Sequence, residues 1–191
     1  MFEAHMFIGP MFSGKSTELL RQVSRYVAIG KNVLVINHKN DTRTGDSIKT
    51  HDNLKHKALK TDKLMDLISS GLLQDIDILA IDEAQFFSDL KKFILAIEHS
   101  DIILYMSGLD GDSNRNPFGQ VLDCIPLCDS VVKLRALDMV ECDGHTKAPF
   151  TVRITDNTQS QIQVGAKESY KAVNRSNYLN LSQTTSKDKL V

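Results

Sequence analysis

The chain has 191 residues, 41% of them apolar and 25% charged, which is room for one well-buried core and a small appendage in a protein of ordinary globular composition. Its 23 basic and 24 acidic residues leave a formal net charge of −1, so no global basic field argues for nucleic acid as a partner. An odd cysteine set (Cys124, Cys128, Cys142) without disulfide-like spacing, no basic-then-apolar leader pattern and no run of ~18 apolar residues predict a soluble, cytoplasmic protein in a reducing compartment, with no membrane partner.

Residues 4–8 read as a first buried strand. It leads into Gly9-Pro10-Met11-Phe12-Ser13-Gly14-Lys15-Ser16, followed by Thr17, which fits G-x-x-x-x-G-K-[ST] in the strand, loop and helix setting the motif requires. Such a loop captures phosphate. Its glycines let backbone N–H groups converge on a triphosphate at a helix N-terminus, where the helix dipole favours negative charge. Lys15 reaches the terminal phosphates and the Ser16 hydroxyl ligates Mg²⁺. The plainer alternative is a glycine-rich turn before an ordinary helix; the flanking pattern favours phosphate. The helix carries Leu19, Leu20, Val23, Tyr26 and Val27 at helical spacing, and Gly30 closes it.

Asn32 to Asn37 (N-V-L-V-I-N) holds a short continuous apolar run of β-branched character, the pattern of a strand covered on both faces. His38 to about Lys60 is polar and aperiodic, which predicts either a solvated loop or an active-site loop carrying Asp41 and Arg43. Leu64, Leu67 and Ile68 predict a helix closed by Gly71. Ile76 to Ile81 is an apolar strand ending in Asp82-Glu83. Paired with a phosphate loop, such a strand is expected beside the first one, its terminal carboxylate helping to hold Mg²⁺ through a water.

Ser88 is placed to cap a helix with Leu90, Phe93, Ile94 and Ile97 on one face. Ile102 to Met106 predicts a fourth strand, followed at its C-terminal end by Gly108-Leu109-Asp110-Gly111, the edge where open α/β sheets bind ligands. A short helix-like segment and a fifth strand, Ser130 to Leu134, come next. From Asp138 helical period gives way to alternation, and Phe150–Ile154 and Gln161–Val164 predict an antiparallel ribbon. The expected organisation is an α/β domain over 1–137, a small lobe over 138–180 and a disordered polar tail over 181–191.

Taken together, several stretches resemble the cellular-type (type II) thymidine kinases. They are Gly9 to Thr17, Asp41-Thr42-Arg43, Ile81-Asp82-Glu83-Ala84-Gln85-Phe86-Phe87, Leu109-Asp110-Gly111, Arg115-Asn116-Pro117-Phe118-Gly119, Val131-Val132-Lys133-Leu134 and Gly165-Ala166-Lys167-Glu168-Ser169-Tyr170. They run in order from about residue 5 to residue 178, and generic phosphate-loop proteins share only the first and third. The resemblance implies a RecA-like, mostly parallel sheet flanked by helices, with a C-terminal β-ribbon lobe whose lasso folds over a nucleoside. It implies γ-phosphoryl transfer from ATP to the 5′-hydroxyl of thymidine, and of deoxyuridine, in salvage for DNA synthesis, by a homodimer or homotetramer.

By the same resemblance Glu83 is the general base, Arg43 offsets charge on the transferred group with Lys15, and Asp41 orients the site. Asp82 with Ser16 holds Mg²⁺, and Gln85 joins the loop residues Gly9 to Thr17 on the nucleotide side. Met11, Phe86, Leu109 and Phe118 match the base pocket, which Thr151 in the lasso, Gly165 and Tyr170 would close. For each apolar member, core packing is the alternative. The family's structural zinc is expected to be absent. Asn174-Arg175-Ser176-Asn177 replaces one ligand pair, Asp138 and Glu141 stand at the other, and Cys142 with His145 does not complete a set. Ser113 stands where many relatives carry an aromatic. The competing reading is a RecA- or helicase-like ATPase, and a third is a catalytically silent nucleotide-binding module.

Overall fold

The computed structural model describes residues 1–40, 47–49, 55–155 and 169–187. Its centre is a six-stranded sheet in which every pairing is parallel. The strands are β1 (Glu3–Ile8), β2 (Val33–His38), β5 (Leu59–Thr61), β6 (Ile78–Ile81), β7 (Ile103–Gly108) and β8 (Ser130–Lys133), in the spatial order β5-β2-β6-β7-β1-β8. Strand periodicity sorts the core between two faces. Met6, Ile8, Leu79, Ile81, Leu104 and Met106 face one side. There they pack against Leu67 of α2 (Met65–Ser69), against Leu90, Phe93, Ile94 and Ile97 of α3 (Leu90–Ile97), and against Phe87. Phe7, Val35, Ile78, Ala80 and Tyr105 face the other side and bury Leu19, Leu20 and Val23 of α1 (Lys15–Ala28).

The predicted α/β class and all five predicted sheet strands are present, with several departures. The acidic strand β6 does not lie beside β1: β7 runs between them. The motif specifies that a carboxylate approaches the phosphate loop, not which strand separates them, and β7 ends in the small residues Ser107 and Gly108, which leave room for the approach. The stretch read as a loop after β2 contains a hairpin of β3 (Ser47–Lys49) and β4 (Lys55–Lys57), and then β5, which joins the sheet edge. An edge strand needs only backbone pairing on one side, and Leu59 is exposed, so no apolar pattern marked it. Val27 and Ile68, assigned to buried helix faces, are exposed. Asp89 rather than Ser88 precedes α3, and its Oδ2 accepts the Met65 N–H (3.0 Å) instead of capping its own helix.

After the sheet, β9 (Ala136–Leu137) pairs antiparallel with β10 (Lys147–Ala148), and β11 (Phe150–Arg153) with β12 (Tyr170–Val173). The expected ribbon partner of β11, Gln161–Val164, lies outside the described residues; the partner seen is β12. Of the residues expected to form a disordered tail, 181–187 instead belong to α4 (Arg175–Lys187), and 188–191 lie outside the described residues. Asn174 starts that helix: its Oδ1 accepts the Asn177 N–H at 2.9 Å, an N-cap that polar composition alone does not reveal. Among the described residues no helix is long and apolar enough to cross a membrane.

Candidate active site

The phosphate loop leaves β1 through Gly9, whose φ of 143° lies in the region that favours glycine. A Cβ there would stand 2.4 Å from the Leu134 carbonyl oxygen, so the loop can pass β8's end only without a side chain. Lys15 Nζ and Ser13 Oγ both donate to the Pro10 carbonyl (2.6 and 2.8 Å), which folds the loop back over the start of α1. Gly14, in left-handed conformation, precedes the helix. Thr17 follows in its first turn.

Two strands away, Asp82 is buried at the end of β6. The Ser16 hydroxyl donates to its Oδ1 at 3.0 Å, and the Ser107 hydroxyl donates to the same oxygen. Ser107, fully buried on β7, was not singled out from sequence. The signal available was a serine at the end of a strand of large apolar and aromatic residues. It reaches Asp82 because β7 lies between β6 and β1.

Glu83 takes a left-handed conformation (φ 54°) as the chain leaves β6 for a single 3₁₀ turn, Ala84–Phe86. Gln85, in that turn and buried, donates from Nε2 to Glu83 Oε2 (2.5 Å) and accepts the Leu109 N–H on Oε1 (3.0 Å). Phe86 meets Phe118 edge-on at 5.7 Å between centroids. His38, buried at the end of β2, was also missed from sequence. It packs against Phe86 and Phe87 at 5.6 and 4.8 Å, and burial pulls its pKa below the usual imidazole value, so the ring is neutral at pH 7.

The lobe reaches the same place. The hydroxyl of Thr151, buried on β11, accepts the Met11 N–H at 2.9 Å. The neighbouring Phe12 (φ 64°) packs against the cluster of Ala136, Ala148 and Ala172, as Met139 also does, so its side chain faces the lobe base. Tyr170, buried on β12, accepts from Arg153 Nη2 at 2.9 Å. Ser113 offers its backbone carbonyl to the Tyr178 hydroxyl (2.8 Å), and the Arg115 guanidinium lies 4.4 Å from the Tyr178 ring centroid. Thus Lys15 and Ser16 at the start of α1, Asp82, Glu83, Gln85 and Phe86 after β6, Leu109 after β7, Phe118, and Thr151 on β11 are joined by hydrogen bonds and ring contacts around the phosphate loop. Asp41, Arg43 and Gly165 lie outside the described residues.

A parallel α/β sheet whose glycine-lysine phosphate loop meets a strand-end Asp-Glu pair defines a nucleotide-binding protein of the phosphate-loop class, in which such pairs serve phosphoryl transfer. The family model described as Thymidine kinase matches residues 3–178. The thymidine kinases of vaccinia virus (strain Western Reserve) and sheeppox virus (strain KS-1) are 38% and 40% identical over 174 residues, 91% of this chain and 95% of each relative. That of myxoma virus (strain Uriarra) is 37% identical over 176 residues, 92% of this chain and 96% of the relative. The chain belongs to the thymidine kinase family, enzymes that phosphorylate thymidine to dTMP with ATP as donor.

Proposed function

We propose the following division of labour for that reaction. Residues 1–137 bind ATP, and the lobe over 138–180 covers the nucleoside. The γ-phosphoryl passes to the 5′-hydroxyl of thymidine or deoxyuridine: the oxygen bonds to phosphorus, the bond to the β-phosphate oxygen breaks, and dTMP or dUMP leaves with ADP. Glu83 accepts the hydroxyl proton. Lys15 offsets charge on the terminal phosphates, and Arg43 and Asp41 join it by the family resemblance. The observation that carries the reading is the linkage of Glu83, through Gln85, to Leu109 at the pocket edge. It supports a carboxylate aimed at an acceptor rather than at bulk water.

Mg²⁺ fits the residues present, because Ser16 Oγ and Asp82 Oδ1, 3.0 Å apart, are the hard oxygen donors it prefers. Bound there, it neutralises charge on the phosphate oxygens. Met11, Phe86, Leu109 and Phe118 wall the base pocket, and Thr151, Gly165 and Tyr170 close it. The residues at the zinc positions do not fit zinc. Asn177 Nδ2 donates to Asp138 Oδ1 (3.2 Å) and Glu141 Oε1 (3.0 Å), and the Asn174 N–H donates to Asp138 Oδ2, so direct hydrogen bonds occupy these groups. A cytoplasmic homodimer or homotetramer acting in nucleoside salvage completes the proposal, on resemblance.

A nucleoside panel with ATP and Mg²⁺, read as monophosphate formed, tests it. Thymidine and deoxyuridine should be converted, and Glu83→Gln should lower kcat by about 10²-fold or more while ATP still binds. Nucleic-acid-stimulated ATP hydrolysis without monophosphate would instead favour the ATPase reading, which nothing in the fold or the family match favours.

A further inference from the structure

We infer that Gln85 is a positioning residue: it holds the carboxylate of Glu83 against the loop that follows β7, and it is not a ligand of the nucleotide phosphates. The inference rests on the reading of Glu83 as general base. Resemblance alone put Gln85 on the nucleotide side; the geometry points elsewhere. Its side chain is buried, with 3% of the residue exposed, and both ends of its amide are used. The orientation of that amide is not arbitrary. The Leu109 N–H can only donate, so the group facing it must be the oxygen, and the –NH₂ must then face Glu83.

Two neighbours hold the turn in place. A Cβ on Gly119 would stand 2.1 Å from the Gln85 carbonyl oxygen, and one on Gly108 would stand 3.1 Å from Gln85 Oε1. A side chain at Gly119 would push Gln85 off this seat, and one at Gly108 would crowd its amide oxygen. The segments carrying Phe118 and Leu109, both matched to the base pocket, therefore press on Gln85 from two sides.

The need for such a clamp follows from Glu83's position. It is half-exposed, just past the end of a strand, on a left-handed backbone, with three side-chain torsions to fix. A general base works only within hydrogen-bond reach of its proton, and a misplacement of about 1 Å can cost 10²-fold. The amide of Gln85 fixes the carboxylate without neutralising it. Because the same amide accepts from Leu109, the position of the base follows the position of the pocket wall.

Gln85→Met keeps the side-chain volume and removes both hydrogen bonds. It should lower kcat by about tenfold, with KM for ATP and for thymidine each within about threefold. In a Glu83→Gln background the same change should have little further effect on kcat, because residues that act through one group are not additive. Gln85→Glu keeps an acceptor for Leu109 but replaces the donor to Glu83 with a like charge that pushes its carboxylate away, so kcat should fall at least as far as in Gln85→Met. This variant also serves if Gln85→Met does not fold.

Equal kcat losses from Gln85→Met in the wild-type and Glu83→Gln backgrounds would overturn the inference, as would a raised KM for ATP at unchanged kcat, or wild-type kcat in Gln85→Glu. Full kcat in Glu83→Gln alone would instead remove the base itself, and the two failures are thereby told apart.

Discussion

Ser107 shows how much depends on one buried hydroxyl. Asp82 is a buried carboxylate, and such a group is tolerated only when its oxygens are paired. Ser16 and Ser107 donate to the same oxygen, one from the phosphate loop and one from the strand between. Ser107→Ala should therefore raise the Mg²⁺ concentration needed for half-maximal activity and lower stability by about 1–3 kcal/mol, the worth of one hydrogen bond to a charged group. A Mg²⁺ titration of initial rate, with thermal melts, checks both; an unchanged Mg²⁺ requirement would detach Ser107 from the proposed Mg²⁺ site. The residues of the phosphate loop and the Asp82-Glu83 pair were legible in the sequence because each motif is local. Ser107 was not, because its role exists only once β7 is known to run between β6 and β1.

The same contrast holds for whole elements. The sheet strands and the two long amphipathic helices announced themselves through periodicity, since burial on one face or two dictates residue choice. Edge strand β5 and helix α4 did not, because backbone pairing and an N-cap organise them. Asp138 organises the second. It is buried beside β9, and its carboxylate accepts the backbone N–H groups of Val140, Glu141 and Asn174 as well as Asn177 Nδ2. Burial, the largest single influence, pushes its pKa up, yet the hydrogen bonds together hold it below the usual carboxylate value. The cluster ties α4 and β12 to the base of the lobe at the positions where relatives by resemblance hold zinc.

Asp138→Asn turns one acceptor into a donor and should cost about 2 kcal/mol, roughly 4–8 °C in Tm at neutral pH. Because the folded-state pKa is depressed, this contribution is complete above the unfolded value near ~4 and is lost as pH falls through the lower folded-state value. The difference between the two proteins should therefore close in acid. A chelator should leave the wild-type Tm unchanged. Zinc at about one equivalent per chain, with a chelator-sensitive Tm, would show that metal and not Asp138 holds the lobe.

At the scale of the molecule, the sheet and the lobe act as one device only if they are mechanically joined, and the joint is at the phosphate loop. The Met11 N–H donates to Thr151 Oγ1, and Phe12 packs into the alanine cluster formed by β9, β10 and β12. Met11 and Phe12 therefore connect the ATP loop to the lobe rather than merely filling the space between two glycines. Only the resemblance suggested a lobe near this loop, since the contact joins residues 140 positions apart and no periodicity encodes it.

Thr151→Val keeps the shape and leaves the Met11 N–H unanswered. With the loop no longer registered to β11, kcat/KM for thymidine should fall about tenfold, the equivalent of one lost hydrogen bond of ~1.4 kcal/mol. Thr151→Ser, which keeps the acceptor and drops the methyl, should recover most of that loss. Steady-state kinetics on both variants, with ATP varied at fixed thymidine and the reverse, separate the two roles of this residue. If Ser performs as poorly as Val, the methyl group and its packing matter rather than the bond to Met11. If Val loses affinity for thymidine while ATP kinetics stay as they were, Thr151 serves the nucleoside pocket alone and does not couple it to the phosphate loop.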